Sequence, residues 1–200
     1  MQIKKEEIRV EILAISEKEF LKRGYKNASM RTIATKSHTT LGNLYNYFEN
    51  KEAILDAVVG DTPEQIYQLL KSHESELSNI QSKAFIEENF DELVDAYMPK
   101  LFPLDILLSN SLMILMEGCE GTKYEPYRES FSNLFQKHLA NHLNVQPDSF
   151  LARSIAHGFI SSLLFIGKNK KSMETGKTDL IGYIKTMTLG MPMQKSKRPL

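Results

Sequence analysis

Two short helical segments separated by only three residues constrain this chain more than any other feature. Ser29 precedes the segment Met30 to Lys36, where Met30, Ile33 and Ala34 recur at steps of three and four and make one apolar stripe. Ser37-His38-Thr39 reads as a tight turn. Thr40 then opens a second segment in which Leu41, Leu44 and Phe48 share helical spacing. A hydroxyl at each start can accept one of the backbone N–H groups that a first helical turn leaves unpaired. Helices this short are marginal in water, so flanking helices must hold them. One such helix is predicted from about Lys4 to Arg23, with Ile8, Ile12 and Ile15 on one face, Leu13 and Phe20 beside it, and Gly24 as its stop. The other runs from Lys51 to about Val59, capped by Asn50, with Ile54, Leu55 and Val58 apolar.

The rest of the chain keeps the same period. Strand alternation and hairpin turn dipeptides are nearly absent, which predicts an all-α fold. Asp61-Thr62-Pro63 marks a break and a restart, because proline fits the first turn of a helix. The expected division is therefore residues 1–60 as a small head with a bridging fourth helix, 61–190 as a larger helical domain, and 191–200 as a tail. In the larger domain helices are expected at about Pro63 to Asn79, Lys83 to Tyr97, Leu104 to Glu117, Pro126 to Leu143, Pro147 to Gly167 and Thr178 to Leu189. Pro99 and Pro103 interrupt the stretch between the second and third.

Charge narrows the function. The chain carries 25 basic and 25 acidic residues, so nucleic acid could be bound only through a local patch. Residues 1–51 hold ten basic against six acidic residues, a local excess of the right sign. The single Cys119 excludes an intrachain disulfide and a cysteine-based zinc site. His138 and His142 are four apart, but no Glu follows His138, and a solvated or partly packed pair is expected instead of a metal site. The phosphate-binding, dinucleotide and nucleophile-elbow patterns are missing, so no enzyme and no cofactor are expected. Met1 to Glu11 is mostly charged, and no uninterrupted apolar span approaches the roughly 20 residues that cross a bilayer. A cytoplasmic protein without membrane contact is expected.

Two short helices joined by a three-residue turn form a helix-turn-helix, whose second helix enters the DNA major groove. Ser29-Met30-Arg31-Thr32-Ile33-Ala34, then Thr40-Leu41-Gly42-Asn43-Leu44-Tyr45-Asn46-Tyr47-Phe48, then Lys51-Glu52-Ala53-Ile54-Leu55 resembles the TetR family of bacterial repressors. The resemblance covers the first quarter of the chain. Two positions depart from the family pattern: Ser37-His38 stands where a small residue and glycine are usual, and Thr39 where an apolar residue is usual. Histidine accepts a positive φ better than most residues.

The expected DNA contacts are Ser29, Thr40, Leu41, Gly42, Asn43, Tyr45, Tyr47 and Lys51. Gly42 lets the helix approach the backbone closely. Tyr45 and Tyr47 can reach phosphate oxygens with their polar tips, with half-buried packing in the head as the alternative for Tyr47. Lys51 sits where its ammonium and free helix N–H groups could jointly hold a phosphate. Ser29 and Thr40 are caps that could also donate to the DNA backbone. Leu41 and Asn43 are the candidates for base contact, and Leu44 and Phe48 belong to the core.

The larger domain holds many aromatics and methionines. In the resembled family such residues line an apolar cavity, and Tyr67, Phe90, Tyr97, Met113, Met116 and Phe131 are the candidates here, with plain core packing as the alternative for each. Glu117 and Glu120 could orient a ligand or lie in solvent. Residues 154–165 are apolar around most of the helix, which calls for burial on several sides. The resemblance implies homodimerisation through about 147–167 and 178–189, a double-stranded, pseudo-palindromic operator as partner, and release by a small apolar ligand. The rival expectation is a DNA-associated protein of the same fold controlled by a protein partner.

Overall fold

The structure, a computed structural model, describes residues 2–77 and 104–190. Among these, all regular structure is helical: α1 (Gln2–Asn27), α2 (Met30–Lys36), α3 (Leu41–Tyr45), α4 (Lys51–Val59), α5 (Thr62–Leu77), α6 (Leu104–Leu107), α7 (Asn110–Glu117), α8 (Tyr127–Leu143), α9 (Phe150–Asn169) and α10 (Met173–Gly190). The all-α expectation holds. The helix expected over Lys83 to Tyr97 and the tail 191–200 lie outside the described residues. The chain forms two compact units, one joining Met1–Tyr67 with Ser109–Phe131 and the other joining Gln68–Leu108 with Ser132–Leu200.

The first unit is built around the head. Ile12 and Phe20 of α1 are fully buried, as the periodicity predicts, together with Ile33 and Ala34 of α2, Leu44 of α3 and Ile54, Leu55 and Val59 of α4. Ile114, Leu115 and Cys119 complete this core from a distant part of the sequence, and α7 packs against both α1 and α4. Burying an aliphatic side chain of this size contributes about 1.5–3 kcal/mol, so α7 is a substantial part of the head's stability. Ser111 Oγ also donates to the Val58 carbonyl at 2.9 Å, tying α7 to the end of α4. Burial pushes the Cys119 thiol up to about 11, and its Sγ donates to the Ile114 carbonyl.

Gly24 interrupts α1 as expected, but the helical course resumes and ends only at Asn27. The residue has φ 73° and ψ 161°, a region open essentially to glycine alone. This bend turns the Tyr25 N–H toward the Gly118 carbonyl, which accepts it at 2.7 Å. A second tether joins α1 to α2. The buried carboxylate of Glu19 accepts from Lys36 and pairs with Arg23 at 3.3 Å.

Three helix boundaries in the later chain differ from the sequence reading, each because of a capping hydroxyl. The helix expected from Leu104 to Glu117 is two helices, because Ser109 leaves the helical course and accepts from the Leu112 N–H at 3.1 Å. Ser149 accepts from the Ala152 N–H at 3.2 Å, so α9 begins at Phe150, not Pro147. Ser172 and Thr175 bond each other's backbone N–H reciprocally, at 3.1 and 3.2 Å, and start α10 at Met173, well before Thr178.

In the second unit α9 packs against α10, and Phe159 meets Phe135 of α8 with ring centroids 4.5 Å apart. His138 is buried and stacks on Phe135 at 5.9 Å. By length and composition α9 is apolar enough to cross a membrane, at a mean hydropathy of 1.4. Its face of Ala152, Ala156, Phe159, Ile160, Leu163 and Leu164 is instead buried within the unit.

The backbone at Gly24 gives a direct test. Gly24→Ala should lower stability by about 1–3 kcal/mol, because any Cβ is strained at this φ/ψ. The added atom itself meets nothing closer than 3.7 Å. Urea unfolding followed by circular dichroism measures the change, and an unchanged midpoint would refute the strain assignment.

Candidate nucleic-acid interface

The surface around α3 is assembled from the turn upward. After α2, Ser37 turns its hydroxyl back to the Ile33 carbonyl at 2.7 Å, and His38 adopts φ 51°. The histidine thus takes the left-handed conformation that glycine more often supplies. Thr39 N–H then donates to the Ala34 carbonyl at 3.0 Å and closes the turn. Thr40 is the cap that the sequence predicts: its Oγ1 accepts from the Asn43 N–H at 3.1 Å. Asn50 does the same for α4, accepting from the Ala53 N–H at 2.8 Å.

Ser29 differs. It holds the extended cap position before α2, but its hydroxyl makes no capping bond and is exposed. On α3, Leu44 is buried while Gly42 and Tyr45 are exposed, with Tyr45 at 50%. A Cβ at Gly42 would meet nothing within 4 Å, so no neighbour inside the protein requires a glycine there. Leu41 and Tyr47 are half-buried and lean on the head core. Leu41 therefore offers only part of its side chain outward.

Asn43 is held more firmly than its sequence position suggests. Besides the Thr40 cap on its backbone, its side-chain Nδ2 donates to Thr39 Oγ1 at 2.7 Å, and Asn46 Nδ2 lies 3.5 Å from its Oδ1. No periodicity argument reveals this pair. The signal available was the i, i+4 spacing of two polar residues across a helix start.

Lys51 has inward partners. Its Nζ donates to the carbonyls of Tyr25 at 2.6 Å and Ala28 at 2.9 Å, with that of Lys26 at 3.5 Å. It also stands 4.3 Å from the centre of the Tyr25 ring. Desolvation holds the Lys51 pKa below the ordinary lysine value. The Tyr25 and Lys26 carbonyls belong to the last turn of α1, where acceptors lack a full set of partners within the helix, and Ala28 follows it directly. Two exposed ion pairs flank the same region: Lys26 with Glu120 at 2.7 Å, and Lys123 with Asp56 at 2.8 Å. Glu117 pairs with Arg128 at 3.9 Å.

Of the candidate ligand residues, Met113, Met116 and Phe131 are buried and Tyr67 is 47% exposed. All four belong to the first unit. Phe90 and Tyr97 lie outside the described residues.

Residues 12–58 match the family model described as bacterial regulatory proteins, tetR family. The head thus resembles the N-terminal segment of TetR-family regulators. The matched segment spans most of α1 through nearly all of α4, the four helices that share the core described above. A transcriptional regulator from Aquifex aeolicus has a similar fold, with a TM-score of 0.50 and 18% identity over 90% of this chain and 99% of that one. NalD, the secondary repressor of the MexAB-OprM efflux pump of Pseudomonas aeruginosa, matches at a TM-score of 0.48 and 19% identity, covering 96% and 100% of the two chains. A TetR-family regulator from Pectobacterium atrosepticum gives 0.46 and 20%, with complete coverage of both. No curated protein matches the chain.

The inward bonds of Lys51 predict a stability role. Lys51→Met should destabilise the protein by about 1–2 kcal/mol, since carbonyls at the end of α1 lose a charged donor. A urea midpoint equal to that of the unaltered chain would show that the ammonium anchors nothing.

Proposed function

We propose that this protein is a homodimeric repressor that binds a pseudo-palindromic operator through α3 and is released by a small apolar ligand. The observation that carries the DNA half is the division of α3 itself. Leu44 is sunk in the head core, while Gly42, Tyr45 and the outer part of Asn43 face away from it. Gly42 allows close approach to the DNA backbone, and the Tyr45 hydroxyl and the exposed Ser29 and Thr40 hydroxyls bond phosphates. Tyr47 and Leu41 contribute the edges left outside the core. Lys51 adds positive charge at the start of α4 while bracing the end of α1. On this reading residues 1–60 are the DNA-binding domain, 61–190 carry ligand binding and dimerisation, and the protein works in the cytoplasm.

The dimer half rests on α9. Phe165 is 70% exposed, Phe150 is 86% exposed, and Leu151 is exposed beside them. Ser154, His157 and Ser161 continue the exposed face between these apolar residues. Small side chains there permit close approach of a second copy, and a two-fold pair of heads can read two half-sites.

The ligand half rests on α7. Ile114 and Leu115 belong to the head core, while Met113 and Met116 are buried on the same short helix. Met113, Met116, Phe131 and Tyr67 form the apolar ligand site in this reading. A ligand that displaces the methionines shifts the helix that supports the head. DNA and ligand then oppose each other reciprocally, typically by about 1–3 kcal/mol.

Titration against DNA from upstream of its own coding region should show sequence-selective binding that weakens steeply with salt. Tyr45→Phe should weaken it by about three- to tenfold, the value of one lost hydrogen bond, with unfolding unchanged. Absence of selective binding to that DNA and to genomic fragments would overturn the operator reading. Phe165→Glu should convert the dimer to a monomer in sedimentation analysis, and should abolish operator binding while leaving helicity intact. A persistent dimer would place the interface elsewhere.

A further inference from the structure

We propose that Thr39 is a positioning residue for base recognition, orienting the Asn43 carboxamide so that it reads an adenine in the major groove. The inference rests on the operator-binding reading above. A carboxamide on an exposed helix surface is free to turn about a broad, two-fold side-chain torsion. Ordering such a group only when DNA arrives costs affinity and blurs specificity. Asn43 is ordered beforehand. Its Nδ2 donates to Thr39 Oγ1 at 2.7 Å, and its backbone N–H donates to Thr40 Oγ1 at 3.1 Å. Thr39 is in turn fixed by its own N–H on the Ala34 carbonyl, immediately after the left-handed His38.

The chemistry of what remains selects the base. An asparagine amide has two N–H donors and two acceptor lone pairs on its oxygen. Thr39 takes one donor. Asn46 Nδ2 approaches Oδ1 only at 3.5 Å, the outer limit of a hydrogen bond. One N–H remains, and Oδ1 carries only that long contact, a donor beside an acceptor. Adenine presents the matching pair in the major groove, N7 as acceptor and the N6 amino group as donor. Cytosine offers only a donor there and guanine only acceptors, so neither satisfies both groups. An apolar side chain of the same shape as Thr39 could not accept from Asn43.

Selection of bound sequences from a randomised half-site library by the full chain tests this. The unaltered protein should select adenine at one position of each half-site. Asn43→Ala should erase that preference, by about five- to a hundredfold, and leave the other positions unchanged. Thr39→Val should reduce the same preference by about three- to tenfold, with thermal unfolding and affinity for random DNA unchanged, and Thr39→Ser should restore it. A Thr39→Val profile identical to the original would overturn the inference, and so would a loss spread evenly over all positions. Selection of a site with no position sensitive to Asn43 would also refute it while leaving the operator reading intact. Failure of the unaltered protein to select any site would remove both.

Discussion

A helix of five residues cannot hold its shape in water, so α3 depends on what lies beneath it. Leu44 and Phe48 anchor it in a core made by Ile12 and Phe20 of α1, Ile33 and Ala34 of α2, and Ile54 and Leu55 of α4. That core is not closed by the first 60 residues. Ile114 and Leu115 of α7 close it, and α7 packs against α1 and α4, which share the core with α3. Protein interiors are close-packed and transmit such strain.

The end of α1 is the second structural joint. Gly24 bends the chain, Tyr25 N–H reaches Gly118, and Lys51 gathers the carbonyls of Tyr25 and Ala28. The ion pairs Lys26–Glu120 and Lys123–Asp56 lie nearby but are exposed. Such pairs are screened by solvent and contribute little, so the backbone bond and the buried part of Lys51 set the geometry. Lys51 thus has a structural task that its motif position did not disclose.

The head was legible because its signals are local. Thr40 and Asn50 cap as their positions predict, and Leu44 and Phe48 are buried as their spacing predicts. His38 takes the positive φ that its place in the turn requires. The misreadings share one cause. Ser29 occupies a cap position without making the bond, while Ser109, Ser149 and Ser172 make bonds that apolar periodicity cannot detect. Whether a hydroxyl bonds a nearby N–H depends on a rotamer and its surroundings, and periodicity carries neither. The Asn43–Thr39 pair was invisible for the same reason.

From its sequence alone, this protein's all-helical character, its helix-turn-helix and the burial of Leu44 and Phe48 were determined, because caps, turns and apolar stripes act over one or two helical turns. Only the tertiary structure decided that α7 completes the head core, that Lys51 turns toward the end of α1, and that Met113 and Met116 share a helix with two of the residues supporting α3. Those contacts join positions well apart in the chain, 26 residues for Lys51 and Tyr25 and 53 for Ser111 of α7 and Val58. Nothing in local spacing specifies them, since a buried aliphatic face fits many partners, and the packing of the folded chain selects one.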